Sequence, residues 1–239
     1  MNMNLSTLRQ DAYHKIRNKL MDGDLQFGDS LMEPALAKEL GMSRTPIREA
    51  LRQMENEGLV EYVPRFGVMV RMLERKELED MYAVREALES YGAAEAALHI
   101  TPEQLAKVKE AFGTMREIED EFARSGEAHL PAEALKRFVT VDLQFHNLIM
   151  LATSNGYLAG ILERTRLMSR IFTATFWAYT RESLAEANQF HRRLVDALEQ
   201  RDAEAARQCT MEALRVSRKN ALLRWDERQR NQPAKKGAR

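Results

Sequence analysis

Asp142, His146 and His191 are side chains of metal-ligating type that fall on apolar helical stripes. Asp142 lies four residues after Phe138 and three before Phe145, and His146 lies four after Asp142 and three before Ile149. Side chains at i and i+4 share a helix face, so the carboxylate and the imidazole sit together on the buried side. His191 comes seven residues after Leu184 and three, four and seven before Leu194, Val195 and Leu198, which turns it inward from a different helix. One carboxylate and two imidazoles converging in a core suit zinc, manganese, nickel or iron. A plainer role fits the same residues, because inward histidines are ordinarily hydrogen-bonded core residues and an Asp–His pair one turn apart makes a buried hydrogen bond. Both readings stand at this point. Arg85 sits seven residues after Leu78, three after Tyr82 and three before Leu88, so its guanidinium also meets the apolar face and needs an anion there. Glu89, one turn on, is one candidate partner. The other is a ligand carboxylate gripped in a bidentate fork. Asn155, Arg164 and Arg170 are weaker pocket candidates, and Asn155 also suits a helix cap. Phe172, Phe176, Trp177 and Tyr179 read as packing residues.

A second chemistry lies nearer the N-terminus. Leu40-Gly41-Met42-Ser43-Arg44-Thr45-Pro46-Ile47-Arg48-Glu49-Ala50-Leu51 reads as a tight turn feeding a short helix. Gly41 suits the left-handed cap of the preceding helix. Ser43 or Thr45 can cap the next one, and Pro46 fits a first turn that needs no amide partner. Ile47, Ala50, Leu51 and Met54 form its buried face. Arg44, Thr45, Arg48 and Arg52 fall outside that face, where they can reach phosphates and base edges or remain solvated surface charges.

These residues need elements to hold them. Ser6 or Thr7 begins a helix carrying Leu8, Tyr13, Ile16 and Leu20 that stops near Asp22-Gly23, and a short helix follows from about Pro34 to Leu40. Leu59–Val63 and Val68–Val70 are β-rich runs around Pro64-Arg65-Phe66-Gly67, which predicts two short strands. Beyond Arg71 the pattern is wholly helical, with about six helices between residues 75 and 225. Thr101-Pro102-Glu103-Gln104 has the order of a capping box. Ser125-Gly126 to Pro131 is a loop, Ser154-Asn155-Gly156 ends a helix, and Ser183 and Asp202 suit further N-caps. Residues 228–239 carry no apolar periodicity and read as a disordered basic tail.

The whole chain sets bounds. Its 36 basic and 36 acidic residues balance, so any nucleic-acid role rests on local arrangement rather than net charge. The single Cys209 excludes an internal disulfide and fits a reducing compartment. No apolar run approaches a membrane span and no signal-peptide order opens the chain, so the expected location is cytoplasmic, away from any membrane. At 239 residues there is room for two cores.

Ser43 to Leu51, then Glu57-Gly58-Leu59-Val60 and Pro64-Arg65-Phe66-Gly67, resemble the winged helix-turn-helix of GntR-family bacterial transcription regulators over roughly residues 8–72. The resemblance implies operator contacts by Ser43, Arg44, Thr45, Arg48, Arg65 and Gly67. Many family members carry an arginine at the start of the preceding helix, where this chain has Pro34, a departure that bears on the operator sequence. Residues 75–225 resemble the all-helical effector domain of the FadR/VanR-type branch through Asp142-Leu143-Gln144-Phe145-His146, Ser154-Asn155-Gly156-Tyr157-Leu158, Phe190-His191 and Asp202-Ala203-Glu204-Ala205-Ala206. Many members of that branch hold a divalent metal with one aspartate and three histidines. The last of these histidines falls here at Ala213, and Cys209, one turn earlier, is a conceivable substitute. The resemblance therefore implies either a three-ligand centre for zinc, manganese or nickel, open to an effector carboxylate, or a pocket that has lost its ion.

The expected fold is mainly α: a winged helix-turn-helix of three helices and a two-stranded wing in residues 1–72, then an all-α antiparallel bundle in residues 75–225. The expected function is a DNA-binding transcription regulator, a repressor. It binds a pseudo-palindromic operator as a homodimer and responds to a small organic acid near Arg85 and Asn155. The alternative is a DNA binder whose helical half only dimerises. A metal-dependent enzyme using Asp142, His146 and His191 ranks last, because no dedicated base or nucleophile accompanies them and no catalytic residue can be named.

Overall fold

The computed structural model describes residues 5–176 and 179–231, with side chains throughout except at residues 5, 6, 163, 164, 170, 172–176 and 231. Two compact units divide the chain. One contains the residues up to Leu73 together with Leu167–Phe176, and the other contains Glu74–Arg166 and the chain after Phe176.

In the first unit, helices α1 (Leu5–Met21), α2 (Glu33–Leu40) and α3 (Arg44–Asn56) precede strands β1 (Val60–Val63) and β2 (Gly67–Val70). Ala12, Ile16 and Leu20 recur every fourth residue along α1 and are fully buried, as are Ile47, Ala50 and Met54 of α3; that repeat is the inward stripe of a surface helix. Gly41 adopts φ 65° and its amide reaches back to the carbonyls of Ala37 and Lys38, which ends α2 sharply enough to start α3 three residues later. The strands pair antiparallel, Val60 opposite Val70 and Val63 opposite Gly67. Residues 28–31 add a short third edge: the Gly28 and Leu31 amides donate to Val70 and Val68, and Ser30 bridges Met69. That edge has no sequence signature, because Gly28-Asp29-Ser30-Leu31 offers neither alternation nor β-branched residues.

The second unit is built from α4 (Arg75–His99), α5 (Pro102–Ser125), α6 (Ala132–Ala152), the part of α7 (Gly156–Phe176) up to Arg166, α8 (Arg181–Glu199) and α9 (Ala203–Asn231). Helix α4 packs on α6 and α9, α5 on α6 and α8, and α8 on α9. The core gathers Met115 and Ile118 from α5, Phe138, Phe145 and Ile149 from α6, Leu162 from α7 and Leu184 and Leu198 from α8. On α4 the buried positions after Glu89 are small: Ser90, Gly92, Ala93, Ala94, Ala96 and Ala97. A Cβ on Gly92 would stand 2.6 Å from Met150 Sδ, so a side chain there must displace α6 packing.

Caps set the helix ends. Thr101 and Gln104 form the expected reciprocal box, and the Ala205 amide donates to Asp202 Oδ1 at 2.9 Å. Ser183 differs from expectation. Thr180 is the N-cap of α8, and Ser183 is the third-position residue that closes its box. Two adjacent hydroxyl residues of like capping power made the register ambiguous. Helix α1 already begins at Leu5, so Thr7 lies inside it rather than at its cap. Helix α9 continues through Asn231, so residues 228–231 extend a helix instead of opening a tail. Residues 232–239 lie outside the described residues. Among the described residues no helix is long and apolar enough to cross a membrane.

Candidate functional site

Helix α3 presents a polar edge of the kind a major groove admits. Its buried face is Pro46, Ile47, Ala50, Leu51 and Met54, which leaves Arg44, Thr45, Arg48 and Arg52 exposed. Ser43 occupies the N-cap with extended backbone, φ −72° and ψ 163°, yet its side chain makes no capping bond. Ser43 is exposed, so the first α3 amides are left uncapped by a side chain at an accessible helix N-terminus, which suits a phosphate. Arg48 is held in a fork by Glu33: Nε lies 3.1 Å from Oε1 and Nη2 lies 3.1 Å from Oε2. That contact ties the reading helix to the start of α2.

The wing turn closes through the Phe66 amide donating to the Val63 carbonyl at 3.0 Å. Arg65 takes φ 71° and Gly67 φ 81°, so the turn needs two departures from ordinary backbone within three residues. A Cβ on Gly67 would meet nothing within 4 Å, so conformation rather than space requires glycine here. Tyr62 and Phe66 are exposed beside Arg65, at 63% and 66%. The sequence reading passed over both aromatics; their signal was an arginine flanked by aromatic residues at a turn.

In the second unit Asp142 and His146 of α6 meet His191 of α8, with one ligand atom from each lying within 4.8 Å of the others. Asp142 Oδ1 lies 3.7 Å from His146 Nε2 and 3.1 Å from His191 Nε2. Ligands about 2.1 Å from a tetrahedral ion stand about 3.4 Å apart, so these separations fit one ion between them. Phe145 packs edge-on against His191, ring centroids 5.0 Å apart. Burial drives the His146 pKa down to about 4, and the nearby Arg166 and His191 add to that against the pull of Asp142. The ring is thus the neutral imidazole that a metal requires.

Ala213 is half-buried on α9 and offers no ligand atom. Cys209 does not join the cluster: its thiol donates to the Phe190 carbonyl at 3.3 Å, and burial pushes its pKa up, away from the thiolate that binds metals. Among the described residues the candidate donor set is therefore three side chains, which would leave an ion open positions for water or a ligand oxygen.

A second buried group shares this region. Glu89 is 1% exposed and accepts from Arg85 Nε at 2.7 Å and from Arg166 Nη2 at 2.8 Å. Burial opposes its ionisation, yet the two guanidiniums hold its carboxyl well below the usual carboxylate range. Arg166 also donates to Asn147 Oδ1 at 3.3 Å, while its buried Nε has no hydrogen-bond partner among the described residues. Glu89 is thus the internal partner of Arg85. Arg166 went unread in the sequence, although it extends the Leu158–Leu162 stripe by one further turn. Asn155 is exposed and caps α7, accepting from the Leu158 amide at 3.1 Å. The side chains of Arg164, Arg170, Phe172 and Phe176 lie outside the described set, as does Trp177. Tyr179 packs edge-on against Phe138.

A winged helix-turn-helix followed by an all-helical domain is the architecture of a class of DNA-binding transcription regulators, and similarity to known proteins places the chain within it. Residues 8–70 match the bacterial regulatory proteins of the gntR family, and residues 80–216 match the FCD domain. The chain belongs to the GntR family of transcription regulators, in the FadR/VanR-type branch that carries an FCD domain. It is 30% identical to the "Probable D-xylose utilization operon transcriptional repressor" of Paenarthrobacter nicotinovorans over 79% of this chain and 77% of that one. It is 24% identical to the HTH-type transcriptional regulator McbR of Escherichia coli, over 87% and 90%. The solved structure of E. coli McbR/YncC shares the fold with a TM-score of 0.78 at 22% identity, covering 92% of this chain and 98% of that one. A putatively regulatory GntR structure from Rhodococcus sp. RHA1 does so with a TM-score of 0.73 at 20% identity, over 90% and 97%. Relatives and fold are those of transcription regulators rather than enzymes.

Proposed function

We propose that the protein is a cytoplasmic repressor that binds a pseudo-palindromic operator as a homodimer and is released or retained by a small anionic effector. The observation that carries this reading is the convergence of Asp142, His146 and His191 in a chain whose α3 presents an exposed polar edge. Arg44, Thr45 and Arg48 contact base edges and phosphates, Ser43 binds a phosphate, and Arg65 with Gly67 brings the wing against the backbone. Asp142, His146 and His191 hold a divalent ion such as zinc, manganese or nickel; when bound, it supplies a Lewis-acid anchor for an anionic oxygen. Arg85 and Arg166 place two guanidiniums beside the carboxylates of Glu89 and Asp142, so a bound divalent ion would supply the extra positive charge that draws in an anionic oxygen. Asn155 stands at the α6–α7 corner as a further polar group, capping α7.

Dimerisation has a surface to draw on. Val84, Tyr91 and Leu98 recur every seventh residue along α4 and are 45%, 45% and 50% exposed. An apolar stripe of that spacing suits a partner helix. Effector binding would shift the population between dimer geometries that fit the operator and those that do not.

The test is operator binding by the intact protein, using fluorescence anisotropy on DNA fragments selected from the genome. Added Zn2+ or Mn2+ and a panel of small carboxylates should change affinity by about fivefold or more. The second reading is a DNA binder whose helical half only dimerises. It is favoured by Ala213 and by the engagement of Arg85 with Glu89. Operator affinity that stays constant across metals and acids would select it.

A further inference from the structure

A histidine lends a metal one ring nitrogen, and the bond made by the other nitrogen decides which. His191 turns Nε2 towards Asp142 Oδ1 at 3.1 Å and Nδ1 towards Asn188 Oδ1 at 3.3 Å. The direction of the second contact follows from the surroundings of Asn188. The other end of its carboxamide lies 3.3 Å from the Met115 carbonyl and 2.7 Å from Glu119 Oε2. A main-chain carbonyl can only accept, so that end is the NH2 group and the end facing His191 is the oxygen. An amide oxygen also only accepts. His191 therefore carries a proton on Nδ1, and whenever the ring holds only that proton its Nε2 lone pair faces a carboxylate oxygen. Two lone pairs this close repel unless a cation lies between them. The His191 side chain is 8% exposed and that of Asp142 33%, so water reaches this contact only from the carboxylate side.

We propose that Asn188, clamped to α5 by Met115 and Glu119, is the positioning residue that fixes His191 with Nε2 available to an ion shared with Asp142 and His146. The inference rests on the metal reading above and deepens it. Without Asn188 the ring is free to move its proton to Nε2 and donate to Asp142, which closes the site as an ordinary buried hydrogen bond. One amide thus decides between the two roles that the Asp–His–His pattern permits. Asn188 lies three residues before His191 on the same face of α8, where a core polar residue without a matching charge carried no sequence signal.

The experiment uses the full-length, metal-free protein labelled with 15N-histidine, at a pH well above the ordinary histidine range. Long-range 1H–15N correlations read the His191 tautomer, and calorimetric titration with Zn2+ and with Mn2+ reads affinity. The parent should show Nδ1–H. Asn188→Leu should show Nε2–H and bind Zn2+ about 10–100-fold more weakly. Glu119→Gln keeps an acceptor for the Asn188 amide and should leave the tautomer in place, which separates ring orientation from packing. Nε2–H in the parent overturns the inference, as does unchanged Zn2+ affinity in a folded Asn188→Leu protein. The parental tautomer needs no variant, so a variant that fails to fold still leaves a decisive measurement. A parent that binds neither ion but shows Nδ1–H overturns the metal reading while upholding the hold of Asn188 on the ring.

Discussion

Arg48 is already in a fork with Glu33 before any DNA arrives, so operator binding exchanges one anion for another at the same guanidinium. Arg48 is exposed and Glu33 half-buried, and a pair this open to solvent adds little stability. Arg48→Ala should therefore leave the melting temperature nearly unchanged while weakening operator binding by about 1–3 kcal/mol. Glu33→Gln removes the internal competitor and should tighten binding. Anisotropy titrations of both variants decide this, and equal affinity in parent and Arg48→Ala would remove Arg48 from the reading surface. Glu89 is the opposite case. Replacing it with Gln leaves two buried guanidiniums without a counter-charge, a loss of about 3–5 kcal/mol in urea unfolding. Its pH dependence has a definite sign. The unfolded chain protonates Glu89 near its ordinary value of about 4.3, whereas the folded protein resists until lower pH. Its stabilisation is therefore complete above that value and is lost as the pH falls below it. His146 acts in the same direction at higher pH: the unfolded ring protonates near 6.5 and the folded ring at about 4. Urea midpoints of metal-free protein should fall steadily from pH 6.5 towards 4, and His146→Gln should flatten that limb. A flat parental profile would contradict the burial of the ring.

At the scale of elements, what could be read in advance was whatever local chemistry determines. The α3 stripe, the left-handed Gly41 and the Thr101–Gln104 box all depend on residues within a turn of one another, and each stands where its residues place it. The edge formed by residues 28–31 depends on β2, some forty residues away, and its own residues favour no strand. Arg166 and Asn188 were missed for a related reason: each is a polar residue on a buried stripe whose partner, Glu89 or Met115, lies on another helix. The Asp142–His146 pair was legible because both groups share one helix face, while its link to His191 became definite only when α6 and α8 packed. The wing shows how one residue can govern an element. Gly67 at φ 81° has open space for a side chain, so Gly67→Ala tests backbone strain alone. It should cost about 1–2 kcal/mol and weaken DNA binding further by shifting Arg65. Unchanged thermal stability and operator affinity would show that the turn adapts and that the wing is not a fixed contact.

At the scale of the whole molecule, the seven-residue recurrence of Val84, Tyr91 and Leu98 along α4 has a consequence that neither unit supplies alone. A single winged helix reaches one half-site, and a protein with balanced charge gains little non-specific affinity to compensate. In the proposed homodimer, operator recognition at useful concentrations would depend on two copies being joined, and the affinity of the pair would far exceed that of either half because the second contact is made at high effective concentration. Tyr91→Glu places a charge in the middle of the apolar stripe while leaving the buried face of α4 intact. The variant should sediment as a monomer at concentrations where the parent is a dimer. Its far-UV circular dichroism should be unchanged, and its operator affinity should fall by about 100-fold or more. Binding to a single isolated half-site should be nearly the same for both proteins, which separates loss of pairing from damage to α3. A Tyr91→Glu protein that remains dimeric would move the interface off α4, and a monomer that keeps full operator affinity would remove the need for symmetry in the operator altogether.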